Sequence, residues 1–148
     1  MNHLKSLAIG ISACLCLSNC NKPAEDRADP AAVKQAPPQE AAFLKDIDAA
    51  AAADLIKLQR PPIVLDVRTP EEFAGGHIEG ATNIDFNDPG FNDAVDKLDR
   101  AQPYLIHCRS GGRSGRSKDV FTELGFTAIY HLDGGMIAWE EAGLPTVK

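Results

Sequence analysis

An α/β fold with a mainly parallel sheet, covered by helices on both faces, follows from three observations on this sequence. Short β-branched runs such as residues 63–67 (IVLDV) and 104–107 (YLIH) are almost wholly apolar, the pattern of strands buried on both sides. Stretches bearing helix caps and stop signals lie between them. The two kinds of segment alternate along the chain, the order that places helices against a parallel sheet.

The folded part begins at about Phe43. Asp48 is placed to cap an alanine-rich helix over 49–59 that stops before Pro61 and Pro62. The strand 63–67 follows. Thr69-Pro70-Glu71-Glu72 is a helix start, with Thr69 as N-cap, Pro70 at the first position and Glu72 completing a capping box. A brief strand over 81–84 (ATNI) precedes the turn Asp88-Pro89-Gly90. Phe91, Val95 and Leu98 share one helix face at i, i+4 and i+7. After the strand 104–107 come a helix over 114–124 closed by Gly125, a strand over 128–131, and a helix over 136–141 that ends at Gly143 before Pro145. Trp139, at helical spacing beside Met136, reads as core.

The first forty residues have a different character. Lys5 and the 11-residue apolar run at 7–17 form a secretory signal, since the run falls short of the ~20 residues that span a bilayer. LSNC, residues 17–20, resembles the lipobox of bacterial lipoproteins and implies lipidation of Cys20. Asn19 departs from that pattern; Cys14, ending ISAC, is the alternative on a shorter apolar stretch, and plain secretion is a further one. Residues 21–40, with Pro23, Pro30, Pro37 and Pro38, read as an extended tether able to hold the domain up to ~60 Å from a membrane. The expected organisation is a signal peptide at 1–19, a lipid-anchored linker at 20–40 and a folded domain at 41–148, located in the periplasm or cell envelope.

The composition narrows the chemistry. With 21 acidic and 15 basic residues, a net charge of -6, the chain lacks the clustered positive surface of a nucleic-acid binder. Cys14, Cys16 and Cys20 have neither CxxC pairing nor His partners at zinc spacing, so no metal site is expected. Only Cys108 lies in the expected domain.

Cys108 begins the loop CRSGGR between a buried strand and a helix. Ser110, Gly111 and Gly112 are small enough to let the backbone curl, turning successive N–H groups inward as an anion nest reinforced by the helix that follows. A thiol so placed ionises below its usual pKa of about 8.5. Arg109, Arg113, Arg116 and Lys118 crowd the same helix start, although each positive charge there opposes the helix dipole by about 0.3–1 kcal/mol. A local rule broken beside a reactive group marks a functional site. The count of residues limits the reaction: a cysteine phosphatase needs C-x5-R, whereas Arg113 gives C-x4-R and Ser114 holds the next position. A nucleotide P-loop fits no better, with Ser110 at its first Gly and Arg116 at its Lys.

The chain resembles the rhodanese, or thiosulfate sulfurtransferase, family in three segments in family order: VLDVRTPEEFAGGHIEGATNID at 64–85, CRSGGRS at 108–114 and LDGGMIAWEEAGLP at 132–145. The family loop CRxGx[RT] is matched by Cys108, Arg109, Ser110, Gly111, Gly112 and Arg113. The resemblance implies a three-layer α/β/α domain with about five strands. It also implies Cys108 as nucleophile, with Arg109, Ser110, Gly111, Gly112, Arg113 and Ser114 around the substrate. A small anionic donor such as thiosulfate would leave its outer sulfur on Cys108 as a persulfide, for removal by cyanide or a thiol, with no cofactor. Asp66, Arg68 and His77 fall in the first segment and read mainly as loop ties. His107 is a weak candidate base, because alternation points it away from Cys108. A sulfur-carrier or partner-docking module is the alternative function, and a phosphatase or arsenate reductase a third.

Overall fold

The computed structural model describes residues 43–148. The expected signal segment, Cys14, Cys20 and the linker as far as residue 40 lie outside them. Five parallel strands form one sheet: β1 (Phe43–Ile47), β2 (Ile63–Asp66), β3 (Thr82–Asn83), β4 (Tyr104–His107) and β5 (Ala128–Leu132), in the order β1-β5-β4-β2-β3. The helices are α1 (Ala49–Leu55), α2 (Pro70–Gly75), α3 (Phe91–Asp96), α4 (Gly112–Glu123) and α5 (Gly135–Glu141).

Strand alternation divides the core into two layers. Val64 and Leu105 point to one face, where Ala52, Ala53, Leu132, Met136 and Trp139 join them under α1 and α5. Leu65, Tyr104 and Ile106 point to the other, packing with Phe91, Val95, Phe121 and Phe126 under α3 and α4. β4 is buried along its whole length, which explains its almost wholly apolar sequence. The expected three-layer arrangement is therefore present.

Several boundaries differ from the expected ones, each for a local reason. α1 ends at Leu55, and the chain leaves the helix through turns before Pro61. The capping box at α2 forms as expected: Glu72 N donates to Thr69 Oγ1 at 3.3 Å and Thr69 N donates to Glu72 Oε2 at 3.2 Å. α4 starts at Gly112, two residues before the expected Ser114, because Gly111 adopts a left-handed φ of +85° and serves as its N-cap. β1 had no sequence counterpart among the four expected strands. It is the edge strand beside β5, and three of its five residues are exposed.

Candidate active site

The strand β4 delivers Cys108 to the sheet's carboxyl edge, where the chain turns into α4. Burial pushes the Cys108 thiol pKa up. The Ser114 hydroxyl and the backbone amides of Ser114, Ser110 and Arg113 outweigh it, and the thiol lies below its ordinary range. Cys108 itself is 1% exposed, while Arg109, Ser110 and Gly112 are exposed around it. Of the expected run, Ser110, Arg113 and Ser114 act on the sulfur. Ser114 is fully buried beneath the loop, its Oγ donating to Gly111 O at 3.2 Å.

A second turn holds the loop in shape. Gly134 and Gly135 have left-handed φ values of +71° and +57°, and they bring the start of α5 onto the active loop. Met136 N donates to Cys108 O and Ile137 N to Arg109 O, each at 2.9 Å. With both carbonyls engaged on that side, the loop amides are free to face the sulfur. A Cβ on Gly135 would stand 2.4 Å from Cys108 O and 2.9 Å from Arg109 O, so only glycine permits this approach. Its role was not legible in the sequence, where a paired glycine signals no more than a turn.

The two loop arginines have different settings. Arg113 forms a two-pronged ion pair with Glu72, Nη1 to Oε2 at 2.7 Å and Nη2 to Oε1 at 2.8 Å. The hydrogen bond from Arg113 holds the Glu72 carboxyl down at about 2. Arg113 thus braces α4 against α2, its charge matched. Exposed Arg109 shares a cavity of about 260 Å³ with Arg68, Glu72, Met136, Ile137 and Glu140. Arg116 turns outward over the Phe86 ring, its guanidinium carbon 5.2 Å from the centroid, and Lys118 pairs with Asp46 at 2.9 Å.

The first-segment residues are ties. Buried Arg68 clamps Asp66, with Nε 3.0 and 2.9 Å from the two carboxylate oxygens, and donates from Nη2 to Gly76 O at 2.8 Å. Asn83 Nδ2 joins the carbonyls of Asp66 and Arg68. His77 stacks on Phe73 at 3.8 Å and its backbone pairs with that of Val147. Fully buried His107 makes no contact with the Cys108 sulfur. Its Nδ1 lies 3.5 Å from Cys108 O, its Nε2 has no partner, and burial pushes its pKa down. Among the described residues no cluster of His, Cys, Asp and Glu has the geometry of a metal site.

Comparison with known proteins agrees with this geometry. The family model for the rhodanese-like domain matches residues 48–142. Thiosulfate sulfurtransferase 16, chloroplastic, of Arabidopsis thaliana is 37% identical over 92 residues, covering 55% of this chain and 77% of that protein. The uncharacterized protein slr1261 of Synechocystis is 36% identical over 93 residues, 63% of this chain, and the chain spans about half (51%) of its length. Among solved structures, a rhodanese-related protein from Thermoplasma volcanium superposes with a TM-score of 0.62 at 32% identity, covering 70% of this chain and 97% of that one. The chain belongs to the rhodanese-like domain family.

Proposed function

We propose that this chain is a sulfurtransferase that moves sulfane sulfur from thiosulfate, or a similar small anionic donor, to a thiophilic acceptor through a persulfide on Cys108. The observation that carries the reading is the convergence of the Ser110, Arg113 and Ser114 amides, with the Ser114 hydroxyl, on one acidified sulfur. Such a cradle stabilises an anion with dipoles already in place. In the first step the Cys108 thiolate attacks the outer sulfur of thiosulfate. The donor S–S bond breaks, sulfite leaves with its electron pair, and a persulfide anion remains. In the second step cyanide or a thiolate attacks the outer persulfide sulfur, and the Cys108 thiolate departs. One transfer becomes two easier ones. Exposed Arg109 attracts the dianionic donor, while Arg113, engaged by Glu72, fixes the loop. Because Cys108 is so deeply set, the donor enters end-on. Steady-state turnover of thiosulfate with cyanide tests this: loss of turnover in C108S is expected, and a folded wild-type domain without turnover overturns it.

The carrier reading, in which Cys108 presents its persulfide to a partner protein, uses the same loop. A carrier would exchange sulfur with a partner protein faster than with thiosulfate, and comparing the two rates separates the readings. For the N-terminal residues we propose a lipid anchor at Cys20 that holds the domain in the cell envelope, on the LSNC motif and the apolar run before it. Metabolic fatty-acid labelling that survives C20A counts against it.

A further inference from the structure

Beneath the active loop a chain of polar contacts runs from Ser114 to the sheet edge. Ser114 Oγ lies 2.9 Å from His131 Nε2, and His131 Nδ1 lies 2.7 Å from Asp46 Oδ1. Ser114 is fully buried and His131 is 5% exposed, so water does not stand in for the contact between them. The other end of the chain is Cys108, whose thiol the Ser114 hydroxyl helps to hold below its ordinary range. His131 Nε2 is also 3.2 Å from Gly111 O. Both ring nitrogens therefore face oxygens: Nδ1 a carboxylate, Nε2 a carbonyl and a hydroxyl. A carboxylate and a carbonyl only accept. The hydroxyl alone has a choice, among Gly111 O, the ring and the sulfur, and a proton on Nε2 closes the ring to it.

We propose that Asp46, His131 and Ser114 are positioning residues that relay a proton from Cys108. A proton on His131 Nε2 frees the Ser114 hydroxyl to donate to Cys108 Sγ, and its loss turns the hydroxyl toward the ring. With the thiol protonated, Cys108 S–H donates to Ser114 Oγ, Ser114 O–H to His131 Nε2, and His131 Nδ1–H to Asp46. On activation the S–H proton moves to Ser114 Oγ as the hydroxyl proton moves to His131 Nε2. The S–H and original O–H bonds break, a new O–H and an N–H form, and the net charge of the group is unchanged. The thiolate then accepts from Ser114, and the imidazolium donates to Ser114 and to Asp46.

The charged groups near His131 come from β1, α4 and the turn before α5. Asp46 on β1 faces it directly; its carboxyl is held below the usual carboxylate range by the Lys118 hydrogen bond and by His131 itself. Lys118 of α4 reaches the same Asp46 oxygen at 2.9 Å, so Asp46 is shared between a lysine and the imidazole. Asp133, in the turn before α5, stands on the far side of Gly111: a Cβ on Gly111 would be 3.8 Å from both Asp133 Oδ1 and His131 Cε1.

This proposal rests on Cys108 as the nucleophile, and its test uses no sulfur donor. The pH dependence of Cys108 alkylation by iodoacetamide gives the thiol midpoint in the full chain. S114A is expected to raise that midpoint by about one pH unit, tenfold less thiolate at a given pH below it, and S114T, which keeps a hydroxyl, to restore it. H131N preserves an amide for Asp46 but ends short of Ser114, and is expected to raise the midpoint as S114A does. In an S114A background H131N should add nothing, because the ring acts only through the hydroxyl. Should H131N not fold, D46N, at a half-exposed side chain, takes its place in the same cycle with a smaller shift. Additive shifts, or no shift in S114A, overturn the relay. Sulfur transfer from thiosulfate with an unmoved midpoint would leave the sulfurtransferase reading standing and the relay rejected.

Discussion

Glu72 and Arg113 meet as two parallel hydrogen bonds of 2.7 and 2.8 Å, joining the first turn of α2 to the first turn of α4 across 41 residues of sequence. Glu72 also closes the α2 capping box through Oε2. One carboxylate therefore caps its own helix and fastens the active loop. An acid inside one helix start neutralises an arginine inside another, which removes the dipole conflict that the sequence of α4 presents by itself.

This pair has a pH signature. Folding lowers the Glu72 pKa from about 4.5 to about 2. Its stabilisation is complete above pH 4.5 and is lost as pH falls toward 2. E72Q is expected to cost about 1–2 kcal/mol at pH 7, discounted for partial exposure, with the difference from wild type closing as acid is added. Thermal unfolding of both proteins across that range checks it.

Gly135 is the second anchor. G135A forces a Cβ within 2.4 Å of Cys108 O at a φ of +57°, so the α5 turn must move off the loop. A loss of about 2–4 kcal/mol is expected, together with a rise in the Cys108 midpoint as the amides lose their aim. Urea unfolding and alkylation rates measure the two effects on one sample. An intact midpoint would show that the loop keeps its shape without α5.

Arg109 is expected to act on the donor alone. R109A should raise KM for thiosulfate on the order of tenfold, leave the melting temperature unchanged and flatten the dependence of kcat/KM on ionic strength. An unchanged KM would assign donor attraction to the loop amides.

His107 offers a negative control for the chemistry. Its unpartnered Nε2 sits 3.8 Å from Asp66 Oδ2, and burial pushes its pKa down. H107L removes an unsatisfied polar atom, so stability should change by less than about 1 kcal/mol and the pH profile of kcat should not move. A shifted profile would make His107 part of the proton path.

The layered fold was legible because β4, and β2 after its first residue, are buried on both faces and carry almost wholly apolar runs. β1 was not, since an edge strand with the pattern FLKDI has neither alternation nor an apolar run and owes its form to pairing with β5. The nucleophile was legible from the conflict between Arg109, Arg113 and a helix start. The support was not: Asp46 and His131 are 85 residues apart, and only the β1–β5 pairing brings them together. Glu72 was read as a cap, its partner hidden by distance along the chain.

Electrospray mass measurement of the folded domain after thiosulfate treatment tests the central claim most directly. One added sulfur, localised to Cys108, removed by cyanide and absent from C108S, is the expected result. A folded, acidic thiol that gains no sulfur under those conditions would contradict it.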